Sequence, residues 1–172
     1  MRRDHGFTLT ELLVVLVLLA VIAALAFFGL GRPSAAASAD AMARDLSFAL
    51  TRARLQATSS GFQVRVWLCA STDASCPTAG TWRVEQAGQP GPRPPTSWID
   101  GGLRGPIRRG DAWVASVRDD SGTVLTGNVS VLFRPDGSAD GRRIEVSDSQ
   151  SAVRHLIRVF AATGLVRHWQ ER

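Results

Sequence analysis

From Leu12 to Leu30 the chain runs through 19 residues without a charged or strongly polar side chain. The run is apolar on every side, so it predicts a helix that must bury its whole circumference. At 1.5 Å per residue it rises about 28 Å, close to the ~30 Å of a bilayer's hydrocarbon, and a single transmembrane helix is expected over 7–31. Gly29, Gly31 and Pro33 follow. Pro33 removes a donor and crowds the carbonyl of Gly29, so a kink or local melting is expected there. Over 32–60 the helical period returns with a different character. Ala39, Met42, Leu46, Ala49, Leu50, Ala53 and Ala57 recur at three- and four-residue spacing, with Asp40, Arg44, Asp45 and Arg52 largely on other faces. This is an amphipathic continuation whose small-residue stripe is expected to pack on a sheet of the same chain.

At Phe62 the period changes to two. Phe62, Val64, Val66 and Leu68 alternate with Gln63, Arg65 and Trp67, the pattern of a half-buried strand. Further strands are expected at Trp82 to Glu85, Ala112 to Val117, Val129 to Phe133, Arg143 to Val146, His155 to Phe160 and Leu165 to Trp169. Arg134-Pro135-Asp136-Gly137 has Pro and Gly where a tight turn wants them, and Thr163-Gly164 suggests a closing hairpin. The Pro- and Gly-rich stretch from Gly88 to Gly110 reads as an exposed loop. The expectation is an α+β protein with one β-rich domain over 61–172.

Composition narrows the class. Of 172 residues 45% are hydrophobic and 20% charged, which excludes a disordered or collagen-like chain, and one apolar segment excludes a polytopic transporter. Without that segment about 140 residues remain, enough for one ordinary domain. All 20 basic residues are Arg, and Lys and Tyr are absent, so the pI of 11.1 is inflated by missing groups. The net charge of +5 falls only to +4 if residues 1–6, with Arg2, Arg3 and Asp4, are removed.

The N-terminus admits several readings. A removable secretory signal has a shorter apolar region, although Ala37-Ser38-Ala39 would serve as its cleavage site, and Arg2-Arg3 followed by Asp4-His5 gives little support to twin-arginine export. The residues before the apolar run are Gly6-Phe7-Thr8-Leu9-Thr10-Glu11. This sequence resembles the class III leader of type IV pilins and type II secretion pseudopilins. The resemblance implies that a prepilin peptidase cuts after Gly6, that Phe7 becomes the N-methylated terminus, and that Glu11 is the assembly carboxylate. Residues 1–6 are then a leader peptide. A carboxylate at the edge of a span costs a few kcal/mol unless partnered, and the α-amine of Phe7, its own or a neighbouring subunit's, is the nearest candidate. The plainer alternative is a solvated Glu11 in the headgroup region. Arg2 and Arg3 place the leader in the cytoplasm by the positive-inside rule, so the domain faces the periplasm from a single-pass inner-membrane anchor.

Leu46-x-x-Ala49-x-x-x-Ala53-Arg54, then Val64-x-Val66-x-Leu68-Cys69, Cys76, Trp82 and Phe133-x-Pro135-Asp136-Gly137 are similar to the GspH/FimT family of minor pseudopilins and minor pilins. The resemblance implies a type IV pilin-like fold, a long helix on antiparallel β-sheet. It also implies a structural role in the pseudopilus of a type II secretion system, at its tip, with other major and minor pseudopilins as partners. The alternative is a minor pilin of a type IV pilus. Some of these relatives bind DNA through a C-terminal Gly-Arg-x-Arg motif; the matching stretch here is Gly164-Leu165-Val166-Arg167, so the first motif Arg is replaced. Arg154, Arg158 and Arg167 are the candidate DNA contacts, with a solvated strand face as the alternative and no nucleic-acid partner expected. A singly anchored domain without filament assembly is a third reading.

Cys69 and Cys76 are the only cysteines. In an oxidising periplasm a disulfide is the natural reading, with two free thiols as the alternative. His155 and His168 lie far from them and read as strand surface residues, so no metal and no cofactor is expected. No nucleophile motif, P-loop or zinc-protease motif occurs, and Asp119-Asp120 before Ser121-Gly122 reads as a turn. The chain is expected to be a substrate of processing enzymes and not itself an enzyme.

Overall fold

The computed structural model describes residues 9–29, 35–74, 76–91, 93–150 and 153–171, with backbone alone at 25–29, 35 and 36. It divides into two compact units, Met1–Ser34 and Ala35–Arg172. The first contains helix α1, Leu9–Gly29. Its large apolar side chains from Leu9 to Ile22 are 48–84% exposed, so no face of this helix is covered within its own unit. Among the described residues no helix is long and apolar enough to cross a membrane. The apolar run continues in sequence beyond Ala24, the last α1 side chain described. The expected kink at Gly31 and Pro33 lies outside the described residues.

Helix α2, Ala35–Ser60, opens the second unit. Its expected stripe of Ala39, Met42, Leu46, Ala49, Leu50, Ala53 and Ala57, joined by Ala43, is no more than 1% exposed. Five of these eight are alanines, which let the helix backbone approach the sheets closely. The helix stops at Gly61, whose φ of 74° suits the C-cap and whose N–H donates to the Ala57 carbonyl at 3.2 Å.

Two antiparallel sheets carry the rest. The first has the order β3-β2-β1-β7, from β1 (Phe62–Cys69), β2 (Thr81–Pro90), β3 (Trp98–Pro106) and β7 (Val129–Phe133). The second has the order β10-β9-β8-β5-β4, from β4 (Arg108–Arg109), β5 (Ala112–Asp119), β8 (Arg142–Asp148), β9 (Arg154–Val159) and β10 (Val166–Glu171), with β6 (Val124–Leu125) also on β5. Strands of both sheets touch α2. The core lies between them, where Leu46 and Leu50 meet Val64, Val66, Val131, Phe133, Ile144 and Ile157.

The stretch from Gly88 to Gly110 departs from expectation. Gly88–Pro90 complete β2, and β3 and β4 take most of the stretch from Trp98 onward, which leaves the loop between Pro90 and Trp98. The prolines gather before Trp98, and β3 is an edge strand, where Pro106 and several glycines are tolerated because one side has no ladder to break. Gly105 pairs with Trp82, and a Cβ there would come within 2.6 Å of the indole. The glycine that signals a breaker in sequence thus makes room for an aromatic lying across the strand. The turn at Arg134–Gly137 is as expected: Gly137 has φ 87° and donates to the Arg134 carbonyl at 3.0 Å.

On the outer face of the first sheet the carboxylate of Glu85 is buried yet fully engaged. Arg65 and Arg83 each reach it at 2.6 Å, and the Trp67 indole donates at 3.1 Å. The Arg65 guanidinium also lies 3.8 Å from the Trp98 ring centroid. A buried carboxylate is sustained when its oxygens are all met in this way.

Candidate functional site

Gly6 and Phe7, the expected cleavage and methylation positions, lie outside the described residues. Glu11 is exposed in the first turn of α1. A carboxylate there faces the positive end of the helix dipole, a favourable place for it.

Cys69 and Cys76 are joined in a disulfide, with Cα atoms 5.5 Å apart. The bridge closes the loop between β1 and β2. Asp73 and Cys76 exchange backbone hydrogen bonds at 2.9 and 3.1 Å. Asn128 ties the same loop to the approach of β7, accepting from the Ser71 amide at 2.9 Å and donating to Asp73 at 2.6 Å.

The three candidate DNA contacts separate. Arg154 is 3.3 Å from Glu145 in an ion pair. Arg158 and Arg167 stand directly opposite each other on β9 and β10, and both approach the Phe160 ring. The register extends their row: Arg158 faces Arg143 of β8, which faces Arg118 of β5. Among the described residues none of these four has a carboxylate within ion-pair distance. Like charges directly opposite on neighbouring strands repel, so these four arginines form a like-charged row on the outer face of the second sheet, with Asp119 and Asp120 lining the same groove as Arg118, Arg143 and Arg158. Arg118 and Arg143 escape a sequence reading because β5, β8 and β9 meet only through strand register. The one available signal is parity, each Arg being one residue from a buried Val or Ile.

Asp119 is a turn residue, as expected. Its carboxylate accepts from the Ser121 hydroxyl at 2.6 Å and the Thr123 amide at 2.9 Å, and these bonds hold its pKa below the usual 3.8.

The histidines differ from expectation. His155 is 2% exposed on the inner face of β9, on the side of Ile157 and Val159, and is not a surface residue. Its Nδ1 lies 3.2 Å from Nε2 of His168 on β10. Asp40 of α2 brings Oδ1 to 3.8 Å from the same Nδ1, and its Oδ2 is 2.9 Å from Arg44 Nε. Burial, and then the neighbouring His155, lower the pKa of His168. The three residues sit on three separate elements, and only the tertiary fold brings them together.

A long N-terminal helical segment with a pilin-type leader, followed by a helix packed on antiparallel sheets, defines a type IV pilin-like protein. Residues 1–27 match the prokaryotic N-terminal methylation motif, and residues 42–163 match the type II transport protein GspH family. The chain belongs to the GspH family, whose members are structural subunits and not enzymes. Two crystal structures of the type IV minor pilin FimU of Pseudomonas aeruginosa (strain PAO1) are similar to it at 12% identity, with TM-scores of 0.46 and 0.45. The matches cover 74% and 76% of this chain, and 85% and 91% of FimU. No curated protein matches.

Proposed function

We propose that the chain is a minor pseudopilin of a type II secretion system. A prepilin peptidase removes residues 1–6 and Phe7 is methylated. The apolar helix holds the protein in the inner membrane with its domain in the periplasm, and it assembles with other pseudopilins at the tip of the pseudopilus to support exoprotein export. The observation that carries this reading is the all-round apolar α1 with Glu11 in its first turn, directly behind the Gly6-Phe7 leader motif. In assembly, Glu11 meets the amine of Phe7 on a neighbouring subunit, a charge pair strongly favoured over a lone carboxylate at apolar depth. Mass spectrometry of protein from its own host should find a terminus at methylated Phe7; a start at Met1 or after Ala39 would overturn the reading. Glu11→Ala should stay in the membrane and lose crosslinks to neighbouring subunits. Deleting the chain should reduce exoprotein secretion and leave DNA uptake intact.

The Arg118-Arg143-Arg158-Arg167 row favours a second reading, a type IV minor pilin whose domain touches DNA. Arg suits phosphate, and binding through it falls steeply with salt. The pseudopilin reading expects only nonspecific binding at physiological salt. Tight binding that Arg167→Ala abolishes, lowering the salt slope by about one, would make the second reading the better account.

A further inference from the structure

We propose that Asp40, His155 and His168 bind a single divalent transition-metal ion, zinc by donor set and geometry, which fastens the early turns of α2 to the β9–β10 hairpin. The site lies wholly within the second unit and is independent of which machine the protein serves. Its three donor atoms, Asp40 Oδ1, His155 Nδ1 and His168 Nε2, all lie within 4.8 Å of one another.

Hydrogen bonding alone does not satisfy this cluster. One proton shared between the two imidazole nitrogens, 3.2 Å apart, serves that pair. It leaves Asp40 Oδ1 buried and without a donor, since 3.8 Å from His155 Nδ1 is too long for a hydrogen bond. A dication engages all three lone pairs at once. With zinc–ligand bonds of about 2.0 to 2.1 Å, a tetrahedral ion sets its donors roughly 3.4 Å apart. The observed 3.2 and 3.8 Å bracket that value, and the third separation, Asp40 Oδ1 to His168 Nε2, is held within 4.8 Å.

Two imidazoles and one carboxylate suit borderline metals such as zinc; calcium and magnesium call for oxygen donors. Arg44 already holds the second oxygen of Asp40 at 2.9 Å, the outer-shell contact that orients a ligating carboxylate. The charged groups facing the site are Asp40, Arg44 and the two histidines. A fourth coordination position is left for water.

The test uses full-length protein in detergent, stripped with a chelator and titrated with zinc against a competing indicator. It is made in a His5→Gln background, because His5 is the one histidine of the three outside the site. One zinc per chain is expected, with a raised thermal midpoint. His168→Gln and Asp40→Asn, both at partly exposed positions, should keep the same circular dichroism and lose at least about 100-fold in zinc affinity, since even outer-shell changes cost 10- to 100-fold. Neither variant should show the zinc-dependent rise in midpoint. Substoichiometric binding, or unchanged affinity in either variant, would overturn the site and leave a hydrogen-bonded histidine pair.

Discussion

Helices α1 and α2 are similar in length, 21 and 26 residues, and opposite in how they are buried. Every large aliphatic of α1 from Leu9 to Ile22 is about half exposed or more, whereas the apolar stripe of α2 is sealed against two sheets. An apolar helix with no polar face needs cover on all sides, and its own unit supplies none; an amphipathic helix needs cover on one side, and its sheets supply it. The two helices therefore divide the work. The stability of the second unit resides in α2 and the strands, while the apolar side chains of α1 find no cover within their own unit. Exposure of Phe48 and Leu55 on α2, at 65% and 57%, marks the side of that helix turned away from its sheets.

The sharpest break of this comparison is a pair of substitutions. Leu46→Ala removes a fully buried side chain and should cost about 2 to 5 kcal/mol. Leu16→Ala in α1 should change the stability of the second unit by less than about 0.5 kcal/mol. All five tryptophans lie beyond Ser34, so denaturant unfolding in detergent followed by tryptophan fluorescence reports that unit alone. Equal losses from the two changes would mean that α1 contributes to the fold of the second unit after all.

Next in size is the disulfide, the second unit's covalent staple. Replacing both Cys69 and Cys76 by Ala should cost about 2.5 kcal/mol, the loop entropy of a short closed ring. Hydrogen exchange should rise at Ser71 and Asp73 while α2 stays protected. A loss spread evenly over both sheets would show that the loop supports more than itself.

How far these regions were legible from sequence follows the same division. Periodicity placed α2 and its buried face, and strand alternation placed β1 and β7, because each signal is local. Val129 to Phe133 agrees with β7 residue for residue. The second half of Gly88–Gly110 was not legible, since its glycines and prolines signal a loop and only the Trp82–Gly105 pairing explains them as strand. The arginine row and the Asp40-His155-His168 cluster were illegible for a deeper reason. Both depend on tertiary placement: β8, β9 and β10 follow one another in sequence but their register is not set by local pattern, and β5 and α2 reach them only across long connections. His155 read as surface because it is polar and Leu156 and Ile157 beside it are both apolar, which blurs the alternation that would assign its face.

The arginine row offers a smaller effect that depends on that register. Arg143 has Arg118 on one side and Arg158 on the other. Arg143→Gln should stabilise the second unit by about 0.2 to 1 kcal/mol at low salt, the scale of a cross-strand like-charge contact. The gain should shrink as salt is added, because these side chains are solvated. A destabilisation independent of salt would mean that the row packs rather than repels.

The smallest effect belongs to the Arg134–Gly137 turn. The Asp136 carboxylate accepts from the Ser138 hydroxyl at 2.7 Å and the Ser138 amide at 2.9 Å, and these bonds hold its pKa below 3.8. A carboxyl with a lowered folded pKa contributes stability that is present above its unfolded value and lost as pH falls through the folded one. The turn should therefore loosen only in acid below pH 3.8, with α1 unaffected. An NMR titration should show the Ser138 amide shifting with a midpoint under 3.8, and Asp136→Asn should remove that titration while keeping the turn, since the amide oxygen still accepts. A midpoint at or above 3.8 would mean that solvent outcompetes the Ser138 contacts and that Gly137, by its backbone conformation, sets the turn alone.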